Sequence, residues 1–335
     1  MSQQTAEERQ AMASILKMLY APVVEDMQRV EDILAEELKS KHVFVDQVIR
    51  HSARLGGKRL RPALVLLTAK AIGKVTTDHH ILGATVEMIH LATLVHDDVL
   101  DEADVRRHVA TVNARWNNET SVLLGDYLFT HAFYLASTVG TAIACQTIGQ
   151  STNIVCEGEL RQTGNQGRLD VSEQEYTEII DAKTAELCAC SCNLGATFAD
   201  ASEDLVEGMT RYGRNLGIAF QIADDLLDLV GEEEVTGKSL GTDLEKQKPT
   251  LPIIHVWAQA SEAERVEIAE ILNGPAETRR ASLTPWFEKF GALDYARTQA
   301  QNYAGAALKE LERLPDSPAK QVLAQITEFV VARTR

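Results

Sequence analysis

Two short acidic runs carry the strongest chemical signal in this 335-residue sequence. His96-Asp97-Asp98-Val99-Leu100-Asp101 and Asp224-Asp225-Leu226-Leu227-Asp228 each contain the pattern Asp-Asp-x-x-Asp. On a helix, residues four apart stand one turn apart on the same face, so Asp97 pairs with Asp101 and Asp224 with Asp228. Like charges at that spacing destabilise a helix unless a cation lies between them. The plain alternative is a solvated acidic face. Asp occupies 19 of 335 positions, so one such pattern is expected about 0.06 times by chance. Both runs also sit in apolar surroundings, near residues 91–95 and 218–229, where a carboxylate cluster needs a compensating cation. Oxygen ligands without His or Cys favour Mg²⁺, which takes one or two carboxylates and completes its shell with substrate phosphates. Two clusters therefore imply several Mg²⁺ ions gripping one polyphosphate.

The cations are gathered into islands. Lys58 and Arg61 lie in Gly56-Gly57-Lys58-Arg59-Leu60-Arg61-Pro62, where paired glycines allow close backbone approach to a ligand. Arg106-Arg107 follows the first acidic run, Lys183-Thr184 forms a third island, and Lys238 with Lys248 a fourth. Overall the chain has 33 Lys+Arg against 49 Asp+Glu, a net charge of −16. Such a balance disfavours nucleic acid and polybasic lipid docking. Acidic clusters alternating with basic islands suit two anionic substrates, one bound through metal and one directly by Arg and Lys.

The elements that must position these groups read as helices. Prolines stand at 22, 62, 249, 252, 275, 285, 315 and 318, with none from 63 to 248. That stretch has few alternating apolar runs and much Ala, Leu, Ile and Glu, as successive helices require. Helices are predicted near 4–19, 22–40, 43–54, 62–74, 79–103, 120–138, 140–163, 173–197, 203–230, 251–258, 261–272, 276–289, 291–314 and 317–333. No Gly/Ser-rich or Pro-rich linker divides the chain, so residues 1–335 read as one all-α domain with its motif-bearing core at about 51–255. Residues 127–155 carry no Asp, Glu, Lys or Arg. Polar neutral residues interrupt them, so they read as core or subunit-interface helices, with no transmembrane segment. Cys188, Cys190 and Cys192 diverge around a helix and read as buried small residues, not zinc ligands. Five cysteines and an N-terminus without an apolar leader core point to the cytoplasm.

The sequence resembles the trans-isoprenyl (polyprenyl) diphosphate synthases. The matching strings are GGKRLRP at 56–62, IHLATLVHDDVLDEADVRR at 89–107, LLGDYLF at 123–129, CEGELRQ at 156–162, KTAEL at 183–187, FQIADDLLD at 220–228 and GTDLEKQKPTLP at 241–252. The resemblance implies an all-α bundle around a deep central cavity, a homodimer, and Mg²⁺-dependent head-to-tail chain elongation. In that reaction an allylic diphosphate loses pyrophosphate, the double bond of isopentenyl diphosphate attacks the resulting carbocation, and a proton is lost. It further implies that Asp97, Asp101, Asp224 and Asp228 bind Mg²⁺, supported by Asp98 and Asp225. Arg106, Lys183, Thr184, Gln221, Lys238 and Lys248 would hold the allylic diphosphate. Lys58, Arg61, His90 and Arg107 would hold isopentenyl diphosphate. His90 alone would read as a core histidine, but it stands two helical turns before Asp97. His108 and Gln247 depart from the family, which often has Gly at both places.

The growing chain is expected to run down the helix of the first cluster, past Ala92 and Thr93, then Met88 and Ile89, then Thr85 and Val86. Ala92 and Thr93 are small where short-chain members carry a bulky aromatic floor. A long product of roughly six to ten isoprene units is therefore expected by resemblance to quinone side-chain synthases, with Phe129 or Phe133 as candidate floor. The alternatives are a shorter-chain synthase making farnesyl or geranylgeranyl diphosphate, a non-catalytic subunit of a heteromeric synthase, a class I terpene cyclase, and an HD-type phosphohydrolase using His96 with His79-His80. Localisation is expected to be cytoplasmic, either free or resting peripherally on a membrane.

Overall fold

The computed structural model describes residues 20–54, 57–107, 109–230, 244 and 246–332. The helix expected at 4–19 lies outside them, as do Lys238 and His108. A short 3₁₀ turn (Ala21–Val23) leads into α1 (Val24–Glu37), followed by α2 (Val43–Ala53), α3 (Leu60–Ile72) and α4 (Thr77–Leu100). A two-stranded antiparallel hairpin, β1 (Val105–Arg106) and β2 (Val109–Ala110), precedes α5 (Val112–Arg115), α6 (Asn118–Ser137) and α7 (Ala142–Gly164). Then come α8 (Glu173–Ile180), a π-helical turn (Asp181–Ala185), α9 (Glu186–Thr197) and α10 (Glu203–Val230). The C-terminal part contains α11 (Leu251–Gln259), α12 (Glu262–Asn273), α13 (Ala276–Phe290), α14 (Ala292–Glu310) and α15 (Pro318–Ala332). The fold is all-α, as the sequence predicts.

The chain divides into two compact units. The first comprises Met1–Thr152, Leu187–Thr210 and Leu311–Gln325, and the second Asn153–Glu186, Arg211–Glu310 and Ile326–Arg335. In the first, α4 is the central element, packed along α6 and against α3 and α1. Its apolar residues are buried nearly without a break from Leu82 to Val95. That explains why its sequence lacks a clean amphipathic stripe: a helix enclosed on several sides has no solvent face to mark. The helix starts at Thr77 because Thr76 and His79 form a capping box, with the Thr76 amide donating to His79 Nδ1 at 3.0 Å. The second unit buries two clusters. One gathers Tyr176, Ile180, Ile218, Ile222 and Ile254 with Ala296 and Ala300, and the other gathers Leu229, Ile253, Ile268, Leu272 and Phe287.

Cys188, Cys190 and Cys192 are buried in α9, and burial pushes the Cys188 and Cys192 thiols up. They are packing residues, as expected. Among the described residues no helix is long and apolar enough to cross a membrane.

Candidate active site

In the first unit the acidic cluster sits at the C-terminal end of α4. Asp97 and Asp101 are partly exposed, whereas Asp98 is 1% exposed. Asp98 turns inward and accepts a hydrogen bond from Arg106 Nε at 2.7 Å. Burial pushes its carboxyl up, with Arg106 opposing the shift. Its second oxygen, Oδ2, is buried without a partner. Arg106 and Arg107 are carried on the hairpin, whose register pairs Arg106 with Val109 and Val105 with Ala110. The two-residue loop requires a left-handed residue, and Arg107 supplies it with φ 52°. His51 of α2 bonds the Ala110 carbonyl at 2.7 Å, and Arg115 donates to its other ring nitrogen at 2.9 Å. Asn113 and Thr111 donate to the Ala103 carbonyl. The hairpin is thus tied to α2, to α5 and to the first cluster.

The loop of the first basic island is tied just as firmly. Arg59 adopts φ 54° at the N-cap of α3, and its guanidinium forks between Glu31 of α1 (2.6 Å) and Glu87 of α4 (2.8 Å). Glu87 is 4% exposed. Tyr20 donates to the Lys58 carbonyl at 2.9 Å. A Cβ at Gly57 would stand 2.5 Å from both terminal nitrogens of Arg107, so glycine is what lets that guanidinium lie on the backbone. Among the described residues, Arg61 Nε is a buried donor without a hydrogen-bond partner. Burial, with Arg61, Arg107, Arg106 and Arg59 around it, holds His90 well below its ordinary pKa and therefore neutral.

The second unit carries the other cluster near the end of α10. Asp224 and Asp228 are partly exposed, and Asp225 is 5% exposed. Asp225 accepts from Tyr176 Oη and from Gln221 Nε2, each at 2.7 Å. Gln221 in turn accepts from Thr184 at 2.8 Å, and Lys183 reaches Glu159 at 2.5 Å and Gln162 at 2.7 Å. Lys183 and Thr184 both lie on the π-helical turn. Gln247 has φ 53°, so the position where relatives often have glycine is left-handed; its side chain donates to the Leu272 carbonyl at 3.0 Å. Lys248 comes directly after it and is partly buried.

Both clusters share one plan: two half-buried carboxylates a turn apart, and a buried third one that secures a neighbouring element. Among the described residues no three His, Cys, Asp or Glu side chains close a coordination sphere by themselves. Pairs of oxygen ligands suit Mg²⁺, which takes few protein carboxylates when phosphate and water complete its octahedron. The donor chemistry and the orphaned Asp98 Oδ2 fit a hard divalent cation.

On α4, Thr85, Met88, Ile89 and Ala92 are fully buried, and Thr93 is half-buried with its hydroxyl on the His90 carbonyl. Helical spacing puts Thr85, Ile89 and Ala92 within about 40° of the His96 stripe, and Met88, one turn before Ala92, about 80° from it. His96 faces α6, bonding the Val122 carbonyl at 3.1 Å with its ring 5.9 Å from that of Phe129. His79 caps α4 and bonds the Gly195 carbonyl, and His80 pairs with Asp26. The three histidines of the phosphohydrolase alternative are therefore committed to separate structural partners.

The sequence profile described as polyprenyl synthetase matches residues 42–288. The chain belongs to the polyprenyl synthetase family. Octaprenyl diphosphate synthase of Escherichia coli (strain K12) is 36% identical over 317 residues, covering 93% of this chain and 97% of the relative. A decaprenyl diphosphate synthase structure from Rhodobacter capsulatus superposes with TM-score 0.88 at 37% identity, covering 96% of this chain and 99% of that one. A polyprenyl synthase from Caulobacter crescentus CB15, complexed with calcium and isoprenyl diphosphate, superposes with TM-score 0.88 at 34% identity over 96% and 98%. This polyprenyl synthetase is accordingly a prenyltransferase with the all-α isoprenoid synthase fold.

The spacing of the sequence singles out both clusters and the basic islands, of which Lys238 lies outside the described residues. It misses the residues that hold them: His51, Arg59 with Glu31 and Glu87, Tyr176, and Glu159 with Gln162. Glu87 left a trace, as a lone carboxylate in the apolar stretch of α4.

Proposed function

We propose that this enzyme is a long-chain all-trans-polyprenyl diphosphate synthase, extending an allylic diphosphate with isopentenyl diphosphate in the presence of Mg²⁺. The observation that carries this reading is the presence of two Asp-Asp-x-x-Asp clusters, each with one buried aspartate engaged by its own unit. Near-full-length similarity to octaprenyl and decaprenyl synthases supports the long product.

In this reading Asp97, Asp101, Asp224 and Asp228 take Mg²⁺ together with pyrophosphate oxygens. The metal, when bound, neutralises the charge that builds on the departing pyrophosphate. Arg106, Lys183 and Thr184, with Gln221, Lys238 and Lys248, bind the same group, and they need little reorganisation because Asp98, Glu159 and Gln162 already fix two of them. Lys58, Arg61, His90 and Arg107 hold isopentenyl diphosphate; the unpartnered Arg61 Nε supplies a donor to its phosphate. His90, neutral before substrate arrives, offers one N–H to the phosphate. Buried apolar positions on α4 exclude water from the carbocation.

The chain grows past Thr93 and Ala92, then Met88 and Ile89, then Thr85. Phe133, one turn beyond Phe129 on α6, is the better candidate floor, because Phe129 lies at the level of His96. A homodimer is supported by the large apolar side chains that α6 and α7 leave exposed, among them Leu123, Tyr134 and Ile143. The protein works in the cytoplasm, with its product feeding quinone side chains.

The test is product length. Purified protein given farnesyl diphosphate, excess isopentenyl diphosphate and Mg²⁺ yields a ladder ending at 30–50 carbons by mass spectrometry (about six to ten five-carbon units). A ladder ending at fifteen or twenty carbons sinks the long-chain reading and keeps the enzyme class.

A further inference from the structure

The π-helical turn at Asp181–Ala185 is an interruption in an otherwise α-helical segment. Its hydrogen bond runs from the Glu186 amide to the Asp181 carbonyl, a span of five residues. Such turns are rare and persist where surrounding structure selects them. Two glycines make room for this one. A Cβ at Gly217 of α10 would stand 2.4 Å from Ala185 Cα, and a Cβ at Gly158 of α7 would stand 2.8 Å from the Lys183 amide nitrogen. Room alone does not distinguish a π-turn from an α-turn.

Arg214 does. Its guanidinium donates to Asp181 Oδ1 at 2.5 Å and to Glu186 Oε2 at 2.7 Å. Those carboxylates flank the turn and are five residues apart. On an α-helix, five residues rotate by about 140° from alignment, so one guanidinium could not fork between them. When the ring closes at i+5, the two residues come onto one face. The fork is therefore satisfied by the π form and not by the α form.

We propose that Arg214 is a positioning residue, whose clamp on Asp181 and Glu186 selects the π-turn and thereby sets the direction of Lys183 and Thr184. This rests on the reading that those two residues bind the allylic diphosphate. Asp181 is pushed up by burial, with Arg214 opposing; burial also works against the Arg214 charge, but the two carboxylates outweigh it and hold its pKa raised. The same face of α10 continues the arrangement. Gly217 receives Ala185 one turn on, Gln221 holds Thr184 a turn later, and Asp225 holds Gln221. Relaxation to an α-turn would rotate α8 by about 100° relative to α9 and misdirect Lys183.

The experiment compares Arg214→Met with the neutral set Asp181→Asn/Glu186→Gln/Arg214→Met, which removes the clamp without leaving a bare carboxylate. Amide hydrogen exchange is read by mass spectrometry over residues 180–190 in the full-length protein, and KM is measured for each substrate. Exchange at 182–187 is expected to quicken about 10-fold or more in both variants, as the loss of two charge-assisted hydrogen bonds requires. The KM for the allylic diphosphate is expected to rise about 10-fold with that for isopentenyl diphosphate within 2-fold, and Arg214→Lys to recover part of the loss. Unchanged exchange in the neutral set overturns the clamp, as does an equal rise in both KM values. Lys183→Ala separates the two claims. If it leaves the allylic KM unchanged, the Lys183 assignment fails, and the exchange result still judges Arg214.

Discussion

Asp98 and Arg106, eight residues apart, are joined by a 2.7 Å ion pair that fastens the hairpin of the arginine pair to the helix of the first acidic cluster. Asp98, which lies between the two proposed metal ligands of its motif, is engaged in holding the Arg106 guanidinium. Asp98→Asn keeps the volume and removes the charge. Its expected effect is a fall in kcat/KM of about 10²-fold and a loss of about 3 kcal/mol in stability, because breaking a buried pair strands the partner. Steady-state kinetics and urea unfolding check both. A variant as active as the parent would show that Arg106 needs no such anchor.

The proposal that the outward carboxylates hold Mg²⁺ predicts metal dependence. Activity is expected to vanish with EDTA and return with Mg²⁺. Asp97→Ala and Asp224→Ala are each expected to lower turnover by about 10²-fold or more, with partial recovery at raised Mg²⁺. Retained turnover in EDTA would remove the metal from the reaction.

Product length is expected to respond to α4. Ala92→Phe should shorten the terminal product by several isoprene units, at a stability cost of about 1–3 kcal/mol because the position is fully buried. Phe133→Ala should lengthen it. Unaltered ladders from both would move the growing chain off this helix.

Stability should fall on mild acidification. Burial lowers the pKa values of His79 and His90 below their ordinary 6.5, and the neighbouring arginines add to the effect at His90. The unfolded chain then binds more protons than the folded one as pH drops through about 6.5, so stability is lost on that side. The raised Asp98 and Asp181 act with the opposite sign, from the carboxylate range upward. Tm measured from pH 7.5 to 5.5 should decline, and less steeply in His90→Gln. A flat profile would mean that His90 is solvated enough to carry its proton in the folded state.

The Arg59 fork predicts a selective defect. Glu87→Gln should raise the KM for isopentenyl diphosphate by about 10-fold while sparing that of the allylic substrate, since Glu87 steadies the loop of Lys58 and Arg61. Parallel measurements of both KM values decide it.

Most helices were legible because their signals are local: Ser172 with Glu175, Ser261 with Glu264 and Asn117 each mark a helix start, and Gly291 with φ 61° marks an end. The hairpin was not, since strands of two residues show no periodicity, and Arg107 is an unusual residue to hold a positive φ. The π-turn was not, because the glycines that make room for it, at 158 and 217, and the arginine at 214 that forks across it are remote in the chain. The acidic clusters were visible as spacing. Which aspartate of each faces inward depended on Arg106, Tyr176 and Gln221, whose approach is a tertiary fact.

Burial, reinforced by four guanidiniums, keeps the His90 imidazole unprotonated. A diphosphate arriving among them reverses the local field, and the ring then gains affinity for a proton. Substrate capture should thus draw protons from the medium once the pH is low enough for the ring to titrate in the complex, so that the calorimetric heat of isopentenyl diphosphate binding depends on the ionisation enthalpy of the buffer. The enzyme would sense its extender as a change in its own acid–base inventory before any carbon–carbon bond is made.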